Sequence, residues 1–162
     1  MTASAFIILM DEGVPKLMFH MHKKIHRYMQ FGGHVELNET PWQAVTHEIL
    51  EESGYGMQQL QLLQPESRLK HLSDADLHPV AVCQNTHKFD DTHYHTDTAY
   101  AFITSQSPEQ PPVEGESTDM KLFDRASLLA DPDIQHNIKE IGLFIFDVCL
   151  PEWEQVPATT EN

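Results

Sequence analysis

The alternation of apolar and polar positions opens on strands. Ser4 to Asp11 is apolar and partly β-branched and runs into the turn signal Asp11-Glu12-Gly13, which predicts a strand closed by a tight turn. Lys16 to His22 predicts a second strand with Leu17, Phe19 and Met21 on one face, so that His20 and His22 fall on the open polar face. The pair Gly32-Gly33 then breaks the pattern before His34-Val35-Glu36-Leu37. A helix follows. Asn38 to Thr40 offer capping side chains, Pro41 suits the first turn, good helix formers reach Glu52, and Gly54 stands where a C-terminal cap belongs. Its apolar stripe is Trp42, Val45 and Ile49.

Farther along, Leu60, Leu62 and Leu63 leave residues 57–78 open between a strand and a short helix, whereas 79–84 and 94–104 read as a strand pair. Residues 105–117 hold Pro108, Pro111 and Pro112 and predict a surface loop, and Met120 to Phe123 a short strand. Ile134, Ile138, Ile141, Ile145 and Val148 recur at spacings of four, three, four and three, which predicts a core-facing helix over 131–150. From Pro151 the chain turns polar, and a frayed end is expected. Strands first, one helix in the middle and one at the end predict an α+β or layered α/β/α domain over 1–150, with 151–162 as a polar tail.

Composition narrows the function classes. The 162 residues carry 25 Asp and Glu against 10 Lys and Arg, a formal net charge of −15, which disfavours nucleic-acid polymers and anionic membranes as partners. Cys83 and Cys149 form no metal-ligand spacing and read as reduced thiols. The apolar run from Ala5 to Met10 is too short for a secretory core, and none approaches the ~20 residues that span a bilayer, so a cytoplasmic location is expected.

Charge is also concentrated locally. Between Glu36 and Glu52 there are five Glu and no Lys or Arg, and no basic residue falls between Arg27 and Arg68. On a helix Glu48, Glu51 and Glu52 share an arc of roughly 100°, where like charges at i,i+4 destabilise. Two readings follow: a solvated acidic face, or a site for a hard divalent cation such as Mg²⁺ or Mn²⁺. The absence of basic partners and the neighbouring Gly-Gly pair, which lets backbone carbonyls come close, favour the second. Because such cations work with phosphates, composition and spacing alone point to metal-assisted phosphate chemistry.

These residues also resemble a known family. Gly33, five residues, Glu39, seven residues and then His47-Glu48-Ile49-Leu50-Glu51-Glu52-Ser53-Gly54-Tyr55 is similar to the Nudix box, departing from it at His47, where the family has Arg, and at Tyr55, where it has an aliphatic residue. The resemblance implies an α/β/α sandwich with a mixed β-sheet between helices. It implies Mg²⁺- or Mn²⁺-dependent hydrolysis of a nucleoside diphosphate linked to another moiety, whether a nucleoside triphosphate, ADP-ribose or a nucleotide sugar. The partner implied is then a small phosphorylated metabolite, bound by a monomer or a homodimer. By position, Glu51 and Glu52 correspond to metal ligands, and Glu48 to a further ligand or the group that orients water. The Gly32 carbonyl corresponds to a metal-ligating one. Gly33, Glu39, His47 and Gly54 support the site, with Glu39 placed to pair with residue 47. Relatives draw a base or extra ligand from a later loop, where Glu116 is the candidate, with Glu114 and Asp119 beside it. A histidine in place of a permanently charged arginine makes the pairing with Glu39 depend on pH. A non-catalytic module that binds a nucleotide is the alternative.

Weaker candidates complete the picture. Lys23, Lys24 and Arg27 read either as a grip for a substrate phosphate or as a charged hairpin tip. His93 and His95 share a strand face and read as hydrogen-bonding groups for substrate or as polar residues on an open face; a zinc site would need ligand spacing that the chain does not offer.

Overall fold

A computed structural model describes residues 1–88 and 91–159. β1 (Thr2–Asp11) is the middle of the architecture, and its alternation shows why. Ala3, Ala5 and Ile7 face one layer, while Phe6 and Ile8 face the other, and all five are fully buried. A strand covered on both faces belongs inside a sandwich. β1 runs antiparallel to β2 (Val14–His22) and to β4 (Phe31–His34), and parallel to β7 (Tyr94–Thr104). Around these, β3 (Arg27–Met29) and β8 (Met120–Phe123) pair with β2, β5 (Gln61–Gln64) and β6 (Cys83–Lys88) with β7, and β9 (Glu154–Pro157) with β5. The mixed sheet and its helices form the expected α+β sandwich.

α1 (Pro41–Glu48) starts as its sequence predicts. Gln43 N–H donates to Thr40 Oγ1 at 3.2 Å and Thr40 N–H to Gln43 Oε1 at 2.9 Å, a reciprocal cap followed by Pro41. The helix then widens into a π-wound turn, Ile49–Ser53, a form that is rare and recurs at functional sites. Gly54 ends it at φ 77°, and a Cβ there would lie 1.8 Å from the Gln110 carbonyl oxygen. Gly54→Ala is therefore expected to cost at least about 1 kcal/mol, read as a lower urea midpoint; an unchanged midpoint would contradict this packing. Val45 and Ile49 seat α1 on one face of the sheet, and Trp42 meets Tyr100 edge-on at 5.2 Å and stacks on Phe102 at 6.0 Å. The other face is covered by α2 (Arg125–Ala130), α3 (His136–Phe144) and its π-wound extension Ile145–Cys149, with α4 (Leu150–Glu152) following; Ile134, Ile138 and Ile145 supply the apolar contacts.

Several expectations change. Gly32-Gly33 lies inside β4 instead of breaking a strand, because its backbone pairs with Ala3 and Ser4. The partner of β7 begins at Cys83, not at Pro79. The open region 57–78 resolves into a 3₁₀ turn, Met57–Gln59, followed by β5. The last long helix begins at His136, and Ile134 joins the core from the turn before it. The end expected to fray from Pro151 instead adds β9 to the sheet and buries Ala158. Cys83 is half-buried and Cys149 buried, both as free thiols, and burial pushes the Cys149 thiol up to about 12. No helix among the described residues is long and apolar enough to cross a membrane.

Candidate active site

The capped start and apolar stripe of α1 fix where its acidic residues emerge. Glu52 lies at the inner edge of the π-wound turn, 7% exposed, and Glu48 is half-buried, while Glu51 is exposed. Gly32 N–H donates to Glu52 Oε2 at 2.8 Å, joining the helix to β4. A Cβ on Gly33 would fall 1.9 Å from Glu48 Oε1, so the helix carboxylates sit directly over the glycine pair. Burial first, then repulsion from Glu48, Glu116 and Glu51, pushes the Glu52 carboxyl up to about 8 against the pull of the Gly32 N–H. Burial first, then the charges of Glu51, Glu116 and Glu39, raise Glu48 as well.

Glu116 reaches this cluster from the Pro-rich loop. It is half-buried and adds to the repulsion felt by both Glu48 and Glu52. The loop is anchored on both sides. Val113 N–H donates to the Glu51 carbonyl at 2.9 Å, Met21 N–H to the Asp119 carbonyl at 2.9 Å, and Lys23 Nζ to the Gly115 carbonyl. Of the other two loop candidates, Glu114 is exposed and Asp119 accepts from Tyr28 Oη at 2.8 Å.

The remaining candidates separate. His47 Nδ1 stands 2.8 Å from Glu39 Oε1, with His47 exposed and Glu39 half-buried, and the pair ties α1 to the loop before it. Lys23 is engaged by the loop, whereas Lys24 and Arg27 stay exposed at the hairpin tip. His93 is exposed, and His95 is buried among the rings of His34, His87 and His93 at 5.0–5.6 Å, on the sheet face opposite α1. The structure therefore does not bring His93 and His95 to the carboxylates.

His20 corrects an expectation. Instead of lying on an open face it is 2% exposed, with Nε2 3.7 Å from Glu52 Oε1 and the ring against Phe31 at 5.1 Å. Burial and the neighbouring His22 hold its pKa near 4, so it is neutral beside Glu52. The signal in the sequence was the parity of Met18, which packs toward α1 and places His20 on the same side.

Among the described residues no Lys or Arg pairs with Glu48, Glu51 or Glu52, and no three His, Cys, Asp or Glu side chains converge tightly enough to hold a metal as they stand. What is present is a set of oxygen donors, partly buried, in which burial and the neighbouring like charges push Glu48 and Glu52 toward protonation. Such a set fits a hard divalent cation, which would relieve that repulsion.

The model of the NUDIX domain family matches residues 1–142. Among solved structures, the chain resembles a NUDIX family hydrolase from Clostridium perfringens, with 26% identity, 91% of this chain and 95% of that one covered, and a TM-score of 0.71. The fold is also shared with a C. elegans Ap4A hydrolase in a binary complex (17% identity, coverage 93% and 98%, TM-score 0.66). The E. coli dihydroneopterin triphosphate pyrophosphohydrolase shares it too (16% identity, coverage 91% and 95%, TM-score 0.60). No match is found among curated protein sequences.

Proposed function

Because the chain belongs to the NUDIX domain family, we propose that it is an Mg²⁺- or Mn²⁺-dependent pyrophosphohydrolase that cleaves a nucleoside diphosphate linked to another moiety. One observation carries this reading: Glu52, buried and held by the Gly32 N–H, lies among Glu48, Glu51 and Glu116 with no Lys or Arg partner among the described residues. Glu48, Glu51 and Glu52, with the Gly32 carbonyl, would hold the cation. When bound, it neutralises pyrophosphate oxygens and acidifies the attacking water.

The chain's own groups do the rest. Glu116 takes the proton of that water on a carboxylate oxygen, from a loop fixed to the helix by the Val113–Glu51 hydrogen bond and to the hairpin by Lys23. His20, neutral and buried, walls the inner side of Glu52 against water. Lys24 and Arg27 are free to meet the phosphate that leaves or stays. Two of the folds it shares belong to an Ap4A hydrolase and a dihydroneopterin triphosphate pyrophosphohydrolase, and a small phosphorylated metabolite suits this site in the same way.

The test is a panel of GTP, ATP, ADP-ribose and a nucleotide sugar, assayed for phosphoanhydride cleavage with Mg²⁺, Mn²⁺ or EDTA. Turnover is expected only with added cation, and Glu116→Gln is expected to lower kcat about 100-fold with little change in KM. No turnover of any member, or a fully active Glu116→Gln, would overturn the reading. Nucleotide binding that EDTA leaves intact, without turnover, would identify a non-catalytic module.

A further inference from the structure

On the face of the sheet opposite α1 lies a buried carboxylate that hydrolysis does not use. Asp97 on β7 is 5% exposed. Its Oδ1 accepts from Thr2 Oγ1 and from Ser4 Oγ, each at 2.8 Å, and Gln30 Nε2 donates to Ser4 Oγ at 3.4 Å. The hydroxyls are thus polarised toward Asp97: Ser4 gives its proton to the carboxylate and receives one from the amide. Oδ2 accepts from no described residue. Among the described residues only His20 Nδ1 and Gln30 Oε1 are side-chain polar atoms sealed from solvent without a partner, so Asp97 Oδ2 is open. One oxygen is saturated by two hydroxyls, and its twin is left as an acceptor for a donor from outside.

The placement relates this acceptor to the carboxylate site. Thr2 pairs with Asp97 across β1 and β7, and Ser4 with Gly32 across β1 and β4. The register thus sets Asp97 beside Thr2 and, two residues along β1 on the same face, Ser4 beside Gly32, whose N–H holds Glu52. Two strand spacings across and two residues along place Asp97 about 12 Å from Gly32, within the reach of a nucleotide from its base to its phosphates. The glycine pair leaves the edge between the two faces without side chains. His34 stands opposite Thr2 on β4, its ring centroid 5.0 Å from that of His95.

We propose that Asp97 reads the base of the substrate and selects one whose edge offers two adjacent N–H donors, as guanine does; this rests on the nucleotide-hydrolase reading above. A carboxylate oxygen accepts from neighbouring N1–H and N2–H groups together. Adenine and cytosine set a ring-nitrogen acceptor beside their amino group, hypoxanthine offers one N–H alone, and uracil flanks its N–H with carbonyls, so each puts a lone pair against Asp97 or leaves it half-used.

Isothermal titration calorimetry with GMP, IMP and AMP tests this on the full chain with Mg²⁺ present. GMP is expected to bind at least about tenfold more tightly than IMP or AMP. Asp97→Asn still accepts both hydroxyls but turns an amide donor outward, and it is expected to abolish that ranking with a thermal midpoint near that of the wild type. Should Asp97→Asn fail to fold, the wild-type ranking decides alone. Equal binding of the three, tighter AMP, or no binding of any overturns the assignment. The hydrolysis panel separates the two readings. No turnover with the GMP preference intact removes the hydrolase reading and leaves base recognition standing; turnover without a guanine preference removes the base assignment alone.

Discussion

Glu52→Gln is expected to lower Mg²⁺-supported hydrolysis at least about 100-fold while making the metal-free protein more stable than the wild type at pH 8 to 9. Both effects come from one carboxylate. Burial, and after it the charges of Glu48, Glu116 and Glu51, raise its pKa from an ordinary 4.5 to about 8 in the folded chain. Between those values the unfolded chain ionises the group and the native chain does not. Its contribution to stability is therefore complete below pH 4.5 and lost as pH rises through about 8. Glutamine keeps an acceptor for the Gly32 N–H at 2.8 Å but has no proton to lose, so the variant lacks this part of the pH dependence. The advantage of Glu52→Gln should shrink toward zero near pH 5. Added Mn²⁺ should raise the thermal midpoint of the wild type and leave the variant nearly unchanged. A variant with the wild-type pH profile in thermal unfolding, or one that Mn²⁺ stabilises equally, would remove Glu52 from the cation site.

How much of this was legible in the sequence depends on the range of the interactions. The strand alternation of Ser4–Asp11, the Thr40 cap and the Gly54 stop are local, and each appears where its pattern placed it. The acidic residues of α1 and the pairing of Glu39 with His47 were also readable, since they depend on spacing along one helix and the loop before it. What was hidden depends on partners distant in the chain. Gly32-Gly33 looks like a break in isolation, yet pairing with Ala3 and Ser4 makes it a strand. Glu154–Pro157 is polar enough to look frayed, but the unfilled edge of β5 takes it up. His20 shared a face with Met18, and only the position of α1 shows that this face is a buried one. Among three similar loop carboxylates, the anchors on Val113, Gly115 and Asp119 bring Glu116 to the cluster, and no local pattern encodes that choice. Asp97 falls within the strand expected over 94–104, but its hydroxyl partners, Thr2 and Ser4, are more than ninety positions away.

Gly33→Ala should give a folded protein with little hydrolytic activity, and its neighbour should do the reverse of the first half. At Gly33 the added Cβ would lie 1.9 Å from Glu48 Oε1, the far end of a flexible side chain that can swing aside. At Gly32 it would lie 2.3 Å from the Ala3 carbonyl oxygen, at a φ of 141° that an L side chain rarely adopts. The first clash displaces a carboxylate, whereas the second forces apart two paired strands. Gly33→Ala should therefore keep a thermal midpoint within a few degrees of the wild type, while Gly32→Ala loses at least about 2 kcal/mol. Moving Glu48 by the ångström or more that the methyl group demands should lower kcat/KM about 100-fold. Because the loss acts through Glu48, Gly33→Ala combined with Glu48→Gln should be scarcely worse than either change alone, a non-additivity that unrelated sites do not show. Full activity in Gly33→Ala, or additive losses in the pair, would mean that Glu48 does its work from a position that the glycine does not control.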